Sequence, residues 1–418
     1  MRVFLDSLGC RLNTAETEAL AASFAGAGHE IVSSLEDAQL LVLNTCAVTA
    51  QAVRKSRHTL RRWQRRNPKA SIAAVGCWAT ADAGAVARLP NIEWILPNVE
   101  KERAVAIITG EEPSPAPWYP GRWGHTRAFL GVQDGCDAAC TYCITRVLRG
   151  PARSRPLNEV LSKVQALVAQ GAQEVVLTGV SLGSYGRDLG LEEGLAMLVA
   201  LLLDATHLPR LRLSSIEPWD VTEELLRQWE DPRLCCQLHI PLQAGVDHLL
   251  RRMGRPITTE MFADLVTRAR SFSPAMAVTT DVLVGFPGET DAFFEESLAF
   301  VEEMGFARLH VFPYSERAGT PAVRLKGRLP RRVRKDRARR MRELGESLAS
   351  RYRERFVGEV LPVLWERRNA AGRWRGWTDN YLAVITESEL PLFNRVTPVQ
   401  VLDVEGRRLR GRVVENTI

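Results

Sequence analysis

"GCDAACTYC", residues 135–143, sets three cysteines in a C-x3-C-x2-C pattern. A structural zinc site takes four protein ligands in a tetrahedron, and this stretch holds only three. A cubane [4Fe-4S] cluster has four iron corners, so the thiolates of Cys136, Cys140 and Cys143 leave one iron open to a ligand that is not protein. An open iron can chelate the amino and carboxylate groups of S-adenosylmethionine. An electron from the cluster then splits the sulfonium C–S bond and yields a 5′-deoxyadenosyl radical. The alternative is a zinc site completed by a distant His or Cys, but an aromatic (Tyr142) just before the last cysteine is uncommon in zinc patterns.

Around this stretch, short apolar runs alternate with helical patterns. Strands are expected at 128–133, 174–179, 210–215, 236–242, 277–285 and 307–312, with helices near 157–170, 192–204, 222–229, 258–271 and 290–304. Six βα units are too few for a closed eight-stranded barrel and fit an open, partial one. The three cysteines follow its first strand, at the carboxyl end where such barrels carry their chemistry.

The N-terminal part repeats the logic. Strands at 3–8, 40–44 and 71–76, with helices at 14–27 and 50–66, predict a doubly wound parallel sheet. Cys10, Cys46 and Cys77 each stand just past one of these strands. The carboxyl ends of such strands line one crevice, so the three loops converge. They read as a second three-thiolate set, also with an open iron. Cys235 and Cys236 sit together at a strand start, with side chains on opposite faces, and read as core or inert. "EEPSPAPWYPG" (111–121) carries four prolines and marks a linker.

The 418 residues carry a net charge of +6, and the excess is clustered. "RKSRHTLRRWQRRNPK" (54–69) and "RLKGRLPRRVRKDRARRMR" (324–342) read either as solvated helix faces or, together, as contacts to a polyanion. A basic helix runs from 331 towards Phe356. Beyond it, short alternating strands predict a small β-barrel, in which Trp365, Trp374, Trp377 and Tyr381 interleave with Arg367, Arg368, Arg373 and Arg375. That mixture is either ordinary packing or a stacking platform for single-stranded RNA. "MRVFLDSLGCRLN" has no signal-peptide character and no run is long enough for a membrane span, so a cytoplasmic protein is expected, with cysteines used for metal rather than disulfides.

Taken with "LGCRLNTAETE" (8–18), "LNTCAVT" (43–49), "VGCWA" (75–79), "RGPARSR" (149–155), "VLTGVSLGSYG" (176–186), "LSSIEP" (213–218), "HIPLQAG" (239–245), "DVLVGFPGET" (281–290), "FPYSERAGTPA" (312–322) and "GWTDNYLAV" (376–384), the chain resembles the radical-SAM methylthiotransferases over nearly its whole length. The resemblance implies an N-terminal methylthiotransferase domain (1–112), a radical-SAM core with its trailing basic helix (122–353) and a C-terminal TRAM domain (354–418). It also implies two [4Fe-4S] clusters on Cys10, Cys46, Cys77 and on Cys136, Cys140, Cys143, with S-adenosylmethionine near Tyr142, Thr178, Gly179, Gln243 and Gly285. Gly285 and Gly288 also read as turn residues of "GFPGE". Arg149, Arg153 and Arg155 read as holders of cofactor carboxylate or RNA phosphate, or as solvated cations; Trp377 and Tyr381 read as RNA contacts. Glu217, His239 and Asp281 are expected at strand ends, in the site or in a satisfied network.

Within the family, "GCRLNTAETE", "NTCAVT" and "SSIEP" are similar to the branch that methylthiolates C2 of N6-threonylcarbamoyladenosine at position 37 of tRNA. The alternatives are the isopentenyladenosine branch and the branch that modifies an aspartate of a ribosomal protein; outside the class stands a zinc-holding, non-catalytic RNA-binding protein. Expected partners are a tRNA anticodon stem-loop, an electron donor such as a flavodoxin or ferredoxin, and a sulfur source. Arg146, Ala244 and Val246 depart from the family pattern, which has proline at the first and "LQSGS" around the other two.

Overall fold

The computed structural model describes residues 1–114, 117, 118, 120, 121 and 125–414. The first 96 residues build a parallel sheet from β1 (Arg2–Ser7), β2 (Glu30–Ile31), β3 (Leu40–Thr45), β4 (Ser71–Gly76) and β5 (Ile92–Leu96), in the order β2-β1-β3-β4-β5. β3 is buried at every position and β4 at all but its first, as expected of central strands covered on both faces. Helices α1 (Arg11–Gly26), α2 (Ala50–Arg66) and α3 (Cys77–Ala81) follow β1, β3 and β4. Cys10 is the N-cap of α1, so that helix begins three residues earlier than its apolar period suggests. β2 and β5 were not expected: β2 is only two residues long, and β5 is half-buried.

The second unit holds β6 (Ala128–Gly131), β7 (Gln133–Asp134), β8 (Arg153–Ser154), β9 (Glu174–Thr178), β10 (Arg210–Leu213), β11 (Gln237–His239), β12 (Ala277–Val284) and β13 (Arg308–Pro313). Six of these run parallel in the arc β6-β9-β10-β11-β12-β13, as two three-stranded sheets joined by the bridges Leu211–Leu234 and Ser215–His239. This is the open, partial barrel. The run 128–133 is not one strand: it breaks at Val132, and β7 turns away to pair antiparallel with β8. The run 236–242 is likewise shortened to three residues. α1 lies against β6 closely enough that a Cβ on Gly131 would stand 3.0 Å from Leu12, which seats the first sheet on the barrel.

The long helix Arg331–Glu354 leads to β14 (Val360–Arg368), β15 (Arg373–Thr378), β16 (Ala383–Glu387), β17 (Val396–Glu405) and β18 (Arg408–Val413), which close as β14-β15-β16-β18-β17. Trp365 and Trp374 fill this small barrel's core, the packing reading of those two residues. The expected linker at 111–121 falls partly outside the described residues. Among the described residues, no helix is long and apolar enough to cross a membrane.

Candidate functional site

The three N-terminal cysteine loops are stitched to one another. Asn13, fully buried on α1, donates to the carbonyls of Leu8 (2.7 Å) and Thr45 (3.1 Å), tying the Cys10 loop to the Cys46 loop. Thr45 donates to Val75 O (2.7 Å) and accepts from the Trp78 N–H (3.1 Å), tying the Cys46 loop to the Cys77 loop. Gly9, at φ +110°, touches Cys46 so closely that a Cβ there would lie 2.8 Å from its sulfur; no other residue fits. Cys10 and Cys77 begin helices, where N–H groups favour negative charge.

The barrel's loop is built as tightly. Gly135, at φ +72°, lets the chain pass against Pro151, whose carbonyl would stand 1.8 Å from a Cβ. The Cys136 N–H donates to Gly150 O (3.1 Å), the Thr141 N–H to Met253 O (2.9 Å) and the Thr145 N–H to the Cys143 sulfur (3.4 Å), whose thiol donates to Thr145 Oγ1 (3.1 Å). Burial, with the neighbouring Glu217 adding to it, raises the Cys136 thiol. Burial also pushes Cys46 and Cys140 up to about 11, the latter against the pull of Arg255. Without metal these thiols hold their protons, so a metal must displace them.

The segments that carry the two cysteine sets pack against each other. Ile144 and Leu148, just after Cys143, are buried in the same apolar cluster as Cys46 and Cys77. Asn98 reaches both sides, lying 3.6 Å from the Cys77 sulfur and donating to Leu148 O (2.9 Å). The Ala50 N–H donates to Ser315 of the loop after β13 (3.2 Å). Arg149 crosses the same seam, bonded to Glu16 (2.8 Å), Asp134 (2.8 Å) and Asn13 (2.7 Å) with its side chain 2% exposed.

Each set offers three thiols, the donor chemistry of a [4Fe-4S] cluster with one open iron, and neither is drawn together as a single zinc requires. Three thiolates on one zinc stand within about 4 Å of one another, given Zn–S near 2.3 Å; each thiolate of a cubane holds its own iron and stands further off. Among the described residues, the only three ligand-type side chains whose atoms all lie within 4.8 Å are His239, Asp281 and His310, and neither cysteine set is that tight.

Several expected residues fall where the motifs put them. Tyr142 packs edge-on to Phe286 beside Arg255, which pairs with Glu217 (2.8 Å). Thr178 ends β9, and Gly179 approaches Gln133 so closely that a Cβ would meet its Oε1 at 2.7 Å. Gln243 holds φ +75°, its N–H on Asp281 O (2.8 Å). Gly285, at φ +75°, gives its N–H to Glu289 (2.7 Å), so the turn reading of "GFPGE" has its hydrogen bond.

Other expectations need correcting. The Arg149 guanidinium, read as a holder of cofactor carboxylate or RNA phosphate or as solvated, is instead taken up by buried partners on both domains. Arg155 is half-exposed and bonded to Glu102 and Glu159, while Arg153 is exposed. Trp377 and Tyr381 stack on each other (5.0 Å) at the junction of the two barrels. Arg127 lies over both, Arg11 and Arg212 lie over Tyr381, and Glu366 accepts from the Trp377 indole (2.8 Å). Their faces are occupied by guanidinium groups rather than offered to bases. Asp281 is mid-strand, not at a strand end. Asn13, Glu16, Asn98 and Arg255 went unremarked in the sequence, although Asn13 and Glu16 lie inside "GCRLNTAETE".

Comparison with known proteins defines the class. Residues 2–96 match the uncharacterized protein family UPF0004, and residues 130–301 match the radical SAM superfamily. A cobalamin-binding radical S-adenosylmethionine methyltransferase, TsrM from Kitasatospora setae, shares the fold at TM-score 0.55 and 15% identity, over 77% of this chain and 76% of that one. The threonylcarbamoyladenosine tRNA methylthiotransferase MtaB of Bacillus subtilis is 35% identical over 100% of this chain and 98% of its own length. The Thermotoga maritima protein of the same name is 36% identical over 91% and 90%. A tRNA-2-methylthio-N(6)-dimethylallyladenosine synthase from Thermobifida fusca is 34% identical over 85% and 76%. The chain belongs to the radical-SAM methylthiotransferase family and is an enzyme of that class, with a [4Fe-4S] cluster and S-adenosylmethionine as its cofactors. The closed five-stranded barrel stands where that family carries its TRAM domain.

Proposed function

We propose that this enzyme methylthiolates C2 of N6-threonylcarbamoyladenosine at position 37 of tRNA, using a second cluster on Cys10, Cys46 and Cys77. The observation that carries the two-cluster reading is the packed seam between the two cysteine segments: Leu148, just past Cys143, is buried with Cys46 and Cys77, and Arg149 and Asn98 bond across it. When bound, the cofactors supply a 5′-deoxyadenosyl radical from one side and a methylthio sulfur from the other. A radical is required because C2–H of adenine is neither acidic nor activated.

The chain's own residues hold this arrangement. Cys136, Cys140 and Cys143 hold the radical-forming cluster. Tyr142, Thr178, Gly179, Gln243 and Gly285 line the carboxyl ends where the cofactor's adenine and methionyl groups are placed by the family motifs. The Glu217–Arg255 pair flanks Cys140 and sets the charge beside the cluster. Arg149, positive beside Cys10 and Cys77, offsets the negative charge of a thiolate-bound cluster. The reductant is a small electron carrier such as a flavodoxin or ferredoxin, and a separate donor renews the sulfur.

The threonylcarbamoyl substrate is supported by the names of the Bacillus and Thermotoga relatives and by "GCRLNTAETE" and "NTCAVT". The Thermobifida relative favours the isopentenyl-type base as the second reading. Mass spectrometry of tRNA nucleosides from a deletion strain separates the two. Loss of 2-methylthio-N6-threonylcarbamoyladenosine, with its unthiolated precursor retained, is expected. Persistence of that nucleoside with no paralogue present, or loss of the isopentenyl counterpart instead, overturns the assignment.

A further inference from the structure

β13 is the free edge of the six-stranded arc, and its two faces differ. Leu309 and Val311 pack outward on the main apolar core. Arg308, His310 and Phe312 alternate to the other face, towards the lumen. The direction is set by His310, whose Nδ1 lies 3.1 Å from Asp281 of β12; Nε2 of His239 on β11 lies 3.3 Å from the same oxygen. Arg308 is exposed and has no ion-pair partner among the described residues, and Phe312 keeps 42% of its surface open. Neither residue serves the fold: one pairs with nothing and the other buries little.

Burial raises the Asp281 carboxyl, but hydrogen bonds from both histidines outweigh it and hold the group well below the usual carboxylate range. As a carboxylate it accepts from Nδ1–H of His310, which orients the ring and leaves Nε2 as its free hydrogen-bonding atom. That atom makes no hydrogen bond among the described residues. The row is ordered along the strand. Phe312 stands nearest the loop that meets α2 through Ser315, on the cysteine side, and Arg308 lies about 13 Å further down, at roughly 3.3 Å per residue.

The geometry points to a subsite on β13 for an adenine whose N6 substituent is a hydroxylated amino acid: Phe312 against the base, His310 Nε2 hydrogen-bonding the hydroxyl, and Arg308 pairing with the carboxylate. This rests on the threonylcarbamoyl reading above and names the residues that recognise it. An apolar isoprenoid substituent offers Arg308 no carboxylate and His310 no hydroxyl, so the row favours the hydroxylated amino acid by the contacts it gains.

The test is a coupling measurement on the full-length, cluster-loaded enzyme. Affinity is measured for an anticodon stem-loop carrying N6-threonylcarbamoyladenosine and for the same RNA with plain adenosine, in wild type, Arg308→Gln and His310→Ala. In wild type the substituent is expected to tighten binding roughly ten- to hundredfold, the range of a charged hydrogen bond. Arg308→Gln is expected to remove most of that ratio and Arg308→Lys to restore part of it. Because Arg308 is exposed, its replacement leaves the fold intact. A ratio that survives in Arg308→Gln overturns the subsite while leaving the substrate assignment standing. A wild type that ignores the substituent, or prefers the isopentenyl RNA, overturns both.

Discussion

Arg149 leaves the barrel's cysteine loop and ends among Glu16, Asp134 and Asn13, with Lys101 pairing the other side of Glu16 (2.6 Å). Burial raises Glu16, but Lys101 and Arg149 overcome it and bring its carboxyl down to about 2. Replacing Arg149 with Met leaves Glu16 with Lys101 as its one cationic partner and removes the charge beside Cys10. A cost of about 1.5–3 kcal/mol, the range of a hydrogen bond to a charged group, is expected in urea unfolding, together with weaker iron retention in the first domain. "RGPARSR" advertised these arginines, but not their partners, because Glu16 lies 133 residues away and one chain's spacing cannot report a contact across two domains. The cysteines were legible for the opposite reason: Cys136, Cys140 and Cys143 stand out by their spacing, and Cys10, Cys46 and Cys77 each stand just past an apolar run, where strand ends in parallel sheets share one edge.

At the scale of elements, two helices that look alike in sequence differ in charge once folded. The middle of the helix Arg331–Glu354 is neutralised: Arg337 pairs with Glu289 and Asp291, Arg339 with Asp336 and Glu343, and Arg340 with Glu295, while Arg351 near its end pairs with Glu302. On α2 only Arg66 finds a carboxylate, Glu36, among the described residues. Arg54, Arg61, Arg62 and Arg65 are exposed without one. α2 begins four residues after Cys46, so its bare cations lead outward from the site. Removing Arg54 or Arg61 is expected to lower the slope of log Kobs against log salt for tRNA by about one each. Removing Arg339 or Arg340 should leave the slope nearly unchanged. Charge counting along the chain could not separate the two helices, because Glu289, Asp291, Glu295 and Glu302 come from outside the helix they neutralise.

For the whole molecule, the junction between the partial barrel and the small C-terminal barrel is a buried ionic layer. Glu174 sits fully buried between Arg210 and Arg212, and Arg212 also donates to the carbonyls of Thr378 and Asp379. Burial raises Glu174, yet the two guanidinium groups bring it down to about 2. A carboxyl whose folded value is depressed contributes stability above its ordinary value near 4.5 and loses it as pH falls from there towards 2. Wild type should therefore lose about 3 kcal/mol across that window. Glu174→Gln should be less stable at neutral pH, by a margin that shrinks through the same window, read by urea unfolding at each pH. The aromatic residues of "GWTDNY" suggested RNA, whereas the fold packs them here against Arg11, Arg127 and Arg212. Composition announces which side chains are present but not whether they face solvent or a second domain.

The account turns on two three-cysteine cages, and iron counting tests it most directly. Anaerobically purified wild type should carry about eight irons per chain, with Cys46→Ala and Cys140→Ala each retaining about four. Only Cys46→Ala should still release deoxyadenosine from S-adenosylmethionine. Wild-type protein that is colourless and holds zinc instead, or a Cys140→Ala variant that still makes deoxyadenosine, would contradict it.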